Sequence, residues 1–205
     1  NCLFEAGSFD RGYMCAQTFT SGQILDCVIR NARQSPSGNG TSYCGLGVTL
    51  GSADGLVDRC IVSNCWFTAI GTTLTLAGGG INSVSGTVRN SLVVKNQHGL
   101  GGGGIYANGG LVENCTVMGN RVTNSGKTGQ KDYGLYADNG AVIRNCIVRD
   151  NVNTASSVAK DLFADESTTV EYCDFPTATS SVAGTTDENI DEDPAPAEIR
   201  VRFVG

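Results

Sequence analysis

Several residue types that would point to common protein classes are scarce in this chain. Its 205 residues include one His, one Trp and four Pro, and no two Cys have the C-x-x-C spacing of a zinc site. No apolar run approaches the length needed to span a bilayer. Charged residues make up 17%, the net charge is -6 and no basic stripe occurs. These features argue against zinc sites, membrane spans and wholesale nucleic-acid binding.

Cysteine recurs at one place in seven imperfect copies of a short motif, with Ser91 in place of one Cys. The column consists of Cys2, Cys27, Cys60, Ser91, Cys115, Cys146 and Cys173. An aliphatic residue or Phe follows two positions later, and Val or Ile precedes by three positions in every copy except the first. Columns that return after 24 to 33 residues indicate one supersecondary unit stacked on itself, as in solenoid repeat proteins.

The best-preserved copies, residues 104–120 and 134–151, contain two short alternating runs divided by Asn-Gly or Asp-Asn-Gly. This is the pattern of strand, turn and strand. A leucine-rich repeat fits locally, but only twelve Leu occur and no apolar helical stripe follows the strand. The sequence therefore predicts an all-β fold, a parallel β-helix of about seven coils, over residues 1–175.

Residues 176–205 depart from the repeat. They contain an acidic cluster from Asp187 to Asp193 and end in an alternating run, 198–204, that predicts a strand closing or extending the helix. The chain opens on motif residues, so we expect a mature or excised segment. Uncapped end coils would expose unpaired backbone to another chain.

Gly-rich and Asn-containing motifs resemble a known group of proteins. Gly-Gly-Gly-Ile at 78–81 and 102–105, followed by Val-x-x-Asn at 93–96, 117–120 and 148–151, is similar to the GGA(I/L/V) and FxxN repeats of polymorphic outer-membrane proteins and related bacterial surface proteins. The resemblance covers residues 80–175, with Gly in place of Ala and Val in place of Phe. It implies a right-handed β-helix that is secreted, surface-attached, and adhesive or structural. The same fold also carries polysaccharide lyases and hydrolases.

Two polar columns run through the repeats. Asn96, Asn120 and Asn151 are most economically an internal ladder of stacked amides, which loosens toward the N-terminus because Asn31 and Asn64 sit one residue earlier.

A second column contains Asn108, Asp138 and Asp165. These are ordinary turn residues, although the two carboxylates could also hold Ca²⁺ or act as an acid/base pair. No other cofactor is expected.

Aromatic residues supply candidate sugar contacts. Tyr106, Tyr136 and Phe163 are predicted to project outward in register from successive coils, where exposed aromatics bind sugars or stabilise the sheet as cross-strand pairs. Trp66, in a predicted long connection, is a further candidate and could equally anchor that loop.

The nine cysteines are an odd number, so at least one is unpaired in a monomer. We expect the column cysteines to point inward as small hydrophobes. Cys15, Cys44 and Cys65 are better disulfide candidates, because they fall in predicted connecting segments.

These observations predict a non-catalytic extracellular or cell-surface β-helix with a structural or adhesive role. Expected partners are copies of itself in an end-to-end filament, neighbouring coils of a longer chain, or surface glycans, because Asn1 and Cys2 repeat inside later motif copies. Two alternatives stay open. One is a polysaccharide lyase or hydrolase that uses Asp138 and Asp165, and the other is a carbohydrate-binding β-helix.

Overall fold

A computed structural model describes residues 2–5, 8–9, 16–18, 21–34, 46–67, 78–99, 102–123, 133–154 and 156–176. Within these ranges all regular structure is β-strand, and no helix long and apolar enough to cross a membrane occurs. Cys15, Cys44 and the predicted terminal strand lie outside the described residues. The strands stack in parallel from one repeat to the next, so the predicted all-β parallel β-helix is confirmed.

Each full turn contributes one strand to each of four sheets, which we number in the order in which the chain visits them from Ala16 onward. Sheet 1 contains Ala16–Thr18, Val48–Leu50, Ile81–Val84, Ile105–Asn108, Leu135–Asp138 and Leu162–Ala164. Sheet 2 contains Gln23–Leu25, Leu56–Asp58, Thr87–Arg89, Leu111–Glu113, Val142–Arg144 and Thr169–Glu171. Sheet 3 contains Cys2–Glu5, Cys27–Arg30, Ile61–Ser63, Leu92–Val94, Thr116–Met118 and Ile147–Arg149. Sheet 4 contains Ser8–Phe9, Arg33–Gln34, Trp66–Phe67, Gln97–His98, Arg121–Val122, Val152–Asn153 and Val158–Ala159.

Neighbouring strands are in parallel register, except that Val158–Ala159 pairs antiparallel with Val152–Asn153. The register aligns equivalent motif residues; for example, Cys2 lies beside Cys27, and Val93 lies between Val62 and Val117. Because side chains alternate across a strand, each motif column stays on one face of its sheet. The inward columns form a continuous aliphatic and cysteine core along the helix.

The corners between sheets use residues with positive φ. The corner after sheet 2 has Asp26, Arg59, Asn90, Asn114, Asn145 and Tyr172, with φ from 50° to 54°. The corner after sheet 3 has Asn31, Asn64, Lys95, Gly119 and Asp150, with φ from 53° to 65°. Asn, Asp and Gly tolerate this conformation best, which explains their frequency there. The corner N–H of Asn114 donates to the Arg144 carbonyl at 3.1 Å, so coil-to-coil hydrogen bonding continues around the bend.

Candidate functional site

The cysteine column lies inside the helix, apart from the exposed Cys2 of the first strand of sheet 3. The buried thiols belong to Cys27, Cys60, Cys115, Cys146 and Cys173, and each donates to the carbonyl two residues earlier at 3.0 to 3.3 Å. Ser91 makes the same bond at 2.7 Å. The column therefore suits a small side chain that is also a donor.

The protonated thiol is favoured at two positions of this column. Burial raises the pKa of Cys60, and a hydrogen bond with the Cys115 thiol together with burial raises the pKa of Cys146 to about 12. Thiolates are the form that attacks electrophiles and binds metals. The surroundings of Cys60 and Cys146 therefore favour a packing role.

The asparagine column forms a hydrogen-bonded ladder in the interior. Asn120 donates through Nδ2 to the Val93 carbonyl and to Asn151 Oδ1, both at 3.0 Å. Its Oδ1 accepts the backbone N–H of Asn96 at 2.9 Å and the Asn96 amide at 3.1 Å. At the far end, Asp161 Oδ1 accepts the Asn151 N–H at 2.9 Å and its amide at 3.3 Å. Each amide thus joins its own coil to the next.

The ladder ends differently toward the N-terminus. The register places Ala32 and Cys65 in the asparagine column, whereas Asn31 and Asn64 occupy the adjacent positive-φ corner. Cys65 is fully buried in the core, and its N–H donates to Asn96 Oδ1 at 3.0 Å. Cys65 does lie in a connection, as predicted, but this is the two-residue corner between Ile61–Ser63 and Trp66–Phe67, and the side chain is buried in the core. Cys65 is buried because it occupies the asparagine column, beside Asn96.

Asp138 and Asp165 align in one column of sheet 1, as the sequence indicated, but their carboxylate oxygens accept hydrogen bonds from other side chains. Asp138 is 7% exposed and accepts the Tyr106 hydroxyl at 3.4 Å. Asp165 accepts the Ser167 and Thr168 hydroxyls at 2.8 and 2.7 Å, which is a turn arrangement. Burial raises the pKa of Asp165, but these hydrogen bonds outweigh it and hold that pKa below its usual range.

No set of three or more His, Cys, Asp and Glu side chains in the described ranges is grouped to hold a metal ion. The chain's His98 is buried and stacks on Phe67, with ring centroids 4.8 Å apart. Burial lowers the pKa of His98 to about 3, so its ring is neutral near pH 7. The contacts of Asp138, Asp165 and His98 are therefore ones that stabilise the fold.

The aromatic column is in the predicted register but is not exposed. Tyr106 pairs with Tyr136, and Tyr136 with Phe163, along sheet 1. Their rings lie 5.7 and 4.3 Å apart, and Tyr133 packs on Phe163 at 5.5 Å. Tyr106 and Tyr136 are only 3% and 7% exposed, because this cluster forms a second apolar layer outside the main core. The prediction of exposed sugar-stacking rings is wrong here.

Trp66 lies in a strand of sheet 4 and not in a long connection, so that prediction is also corrected. The residue is 37% exposed, and the guanidinium of Arg33 from the preceding coil lies 4.7 Å from the ring centroid. On the side of the following coils, Trp66 borders a cavity of about 310 Å³ that Lys95 and Arg121 also line. Of the four aromatic residues predicted to contact sugars, Trp66 is the one that is exposed to solvent.

A column of alternating charge on the outer face of sheet 2 was missed by sequence reasoning. The column reads Asp58, Arg89, Glu113, Arg144 and Glu171 on successive strands. Arg89 lies 3.2 Å from Asp58, and Arg144 lies 2.7 Å from Glu113. The sequence shows this column as a charged residue two positions before each cysteine-column position from Cys60 onward.

The fold and these columns define a parallel β-helix protein in which most buried polar groups join one coil to the next. Comparisons with protein-family models, with curated proteins and with solved structures found no match to this chain. The fold therefore defines the class of protein, and the surface residues are what bear on its function.

Proposed function

We propose that the chain is a non-catalytic structural and adhesive β-helix of the cell surface or extracellular space. The resemblance of the Gly-Gly-Gly-Ile and Val-x-x-Asn motifs to repeats of bacterial surface proteins supports this location. The interior supports the structural role, because the amide ladder and the cysteine column tie each coil to its neighbours. A rod held together in this way presents side chains at fixed spacing along its length.

The surroundings of Asp138 and Asp165 carry the proposal. These carboxylates are the pair that a lyase or hydrolase on this face would use. A general acid or base needs to reach a substrate proton at hydrogen-bond distance. Asp138 is nearly buried beneath Tyr106, and Asp165 is occupied by the hydroxyls of its own turn. Their geometry favours a structural role over catalysis.

The catalytic alternative is tested by incubating the protein with neutral and acidic polysaccharides, with and without Ca²⁺, and measuring new reducing ends. We expect no turnover. Turnover that Asp138→Asn abolishes in a protein that is still folded would overturn the proposal. The unfolding midpoint of the variant serves as the folding control.

Location is tested on intact cells that express the full protein. A membrane-impermeant biotin reagent should label the chain before lysis, whereas a cytosolic protein in the same cells should stay unlabelled. Labelling that appears only after lysis would contradict the surface role.

A further inference from the structure

The cavity beside Trp66 lies on the outside of the helix, where sheet 3 turns into sheet 4. Its volume is about 310 Å³, and its walls include Asn64, Trp66, Lys95, Gln97, Gly119 and Arg121. The register puts Trp66, Gln97 and Arg121 on successive strands of sheet 4. Strand spacing of about 4.8 Å separates neighbouring members, so the wall runs along the helix axis.

Gly119 creates the space between these side chains. It occupies the corner column in which other coils have Asn31, Asn64, Lys95 and Asp150. A Cβ added at Gly119 would meet only Lys95 Cγ, at 3.9 Å. Its φ of +65° suits Gly, and the Asn residues of this column show that Asn also adopts such a conformation. A single side chain that can adopt this φ, such as Asn, would therefore fill the cavity.

The cations beside the cavity differ from the arginines of sheets 2 and 3 and of the corner between them. Ion pairs of 2.5 to 3.2 Å to carboxylates are made by Arg30, Arg59, Arg89, Arg144 and Arg149. Within the part of the chain that the structure describes, Lys95 and Arg121 make no ion pair, and both are exposed. Two cations that have no ion pair among the described residues thus lie beside an exposed indole on a protein of net charge -6.

We propose that this cavity binds an acidic saccharide, one that carries carboxylate or sulfate groups. Trp66 offers an apolar surface for the C–H face of a sugar ring, on the side that Arg33 does not cover. Lys95 and Arg121 supply charge-assisted hydrogen bonds to the acidic group. The amides of Asn64 and Gln97 bond hydroxyl groups, since they offer both donors and acceptors.

The inference rests on the adhesive part of the proposed function, for which it names the ligand. Nucleic acid is the competing polyanion, since aromatic and basic side chains also bind single strands. The observations favour a saccharide, because one exposed aromatic ring and two cations fit a single acidic sugar unit, whereas single-strand sites combine a basic groove with several aromatic side chains for successive bases.

Trp66 supplies the readout, because it is the chain's one tryptophan. We would titrate the protein with a galacturonic acid hexamer, the same hexamer with its carboxylates reduced to alcohols, a sulfated hexasaccharide and single-stranded DNA of matched charge. The uronate or the sulfated sugar should shift the Trp66 emission saturably, and the response should weaken as salt rises. The two acidic arms then distinguish carboxylate from sulfate as the group bound.

Variants locate the site. Arg121→Gln and Gly119→Asn should each weaken binding about tenfold or more, because one loses a charged hydrogen bond and the other fills the cavity. Arg144→Gln removes the same charge from sheet 2, and Gly140→Asn adds the same side chain at a positive-φ glycine with no atom within 4 Å. Both controls should bind as the wild type does.

Several outcomes would overturn the inference: no emission shift with either acidic sugar, equal binding of the reduced hexamer, tighter binding of DNA, or unchanged binding by the folded Arg121→Gln and Gly119→Asn proteins. Product analysis of the same mixtures separates this from the proposed function. Cleavage of a bound hexamer would refute the non-catalytic role and leave the binding site standing. Loss of sugar binding with intact surface labelling would refute only the saccharide site.

Discussion

At the scale of single residues, the interior columns select side chains by hydrogen bonding as well as by size. Ser91 replaces a cysteine not only because it is small, but also because its hydroxyl donates to the Arg89 carbonyl as the thiols do to theirs. It accepts the Cys60 N–H at 3.1 Å in addition. Asn120 likewise bonds groups of the coil before it and of the coil after it. A buried polar group that loses its partner costs free energy, so these positions constrain the sequence.

Replacement of Asn120 by Ala should lower the free energy of unfolding by roughly 2–4 kcal/mol, since buried donors and acceptors of neighbouring coils lose their partner. Urea unfolding followed by circular dichroism measures the change. Asn114→Gly is the matched control, because Asn114 is exposed, its side-chain amide donates to Asn90 at 3.3 Å, and its φ of 52° is one that Gly accepts. An equal loss in both variants would contradict a special role for the buried ladder.

At the scale of strands and sheets, much of the arrangement could be predicted because it depends on periodicity. Alternation along 105–108 and 116–118 put Tyr106 outside and Val117 inside, as the sheets have them. What covers an outward side chain depends on neighbours distant in sequence, so the burial of Tyr106 could not be predicted. Trp66 was misplaced because its strand has only two residues, too few for an alternating pattern.

Sheet 2 adds a charge column that stabilises the outer face chiefly at one buried position. Asp58 is 2% exposed and accepts hydrogen bonds from Arg59 at 2.6 Å, Arg89 at 3.2 Å and Asn90 at 2.8 Å. Burial raises the pKa of Asp58, but these bonds and the two arginine charges outweigh it and hold the pKa below its usual range. The exposed pairs farther along, such as Glu113 with Arg144, are worth only about 0–1 kcal/mol each.

Acid should therefore destabilise the wild type through Asp58. A folded-state pKa below the unfolded value of about 3.9 means that the ionised carboxylate stabilises the fold above that pH. This contribution is lost as the pH falls from about 4 through the folded-state pKa. Asp58→Asn should lose less unfolding free energy between about pH 6 and pH 2, as measured by urea titrations at each pH.

Asp54→Asn is the control for this titration, because Asp54 is exposed and has no ion-pair partner among the described residues. Its stability should follow the wild-type pH profile. If the Asp58→Asn and wild-type proteins lose the same free energy in acid, the buried carboxylate does not contribute as argued.

At the scale of the whole molecule, the stacked design fixes the fold more firmly than the function. The cysteine, asparagine and valine columns could be predicted because each coil repeats the same inward contacts. The candidate site does not repeat. Its cavity depends on one glycine, Gly119, and on Lys95 and Arg121 being left without carboxylate partners in the described part of the chain. The cavity involves a few coils only, so no repeating sequence pattern indicates it.

The first strand of sheet 3 is where we expect another coil to stack. Phe4 lies in the inward column beside Ile29 but is 38% exposed, and among the described residues the strand pairs on one side only. An edge of this kind attracts a further strand, either from a second copy or from neighbouring coils of a longer chain. If copies stack, sedimentation should show species that grow with concentration, and electron microscopy should show filaments.

Phe4→Asp should abolish that assembly, because it places a charge in the inward column at the junction. Leu3→Asp is the matched control: Leu3 precedes Phe4 on the opposite face of the same strand and is 57% exposed, so its charge stays in solvent and assembly should persist. A wild-type protein that remains monomeric at high concentration would contradict stacking between copies and would leave coils of a longer chain as the expected partner. Equal assembly by the Phe4→Asp variant would show that the contact lies elsewhere on the helix.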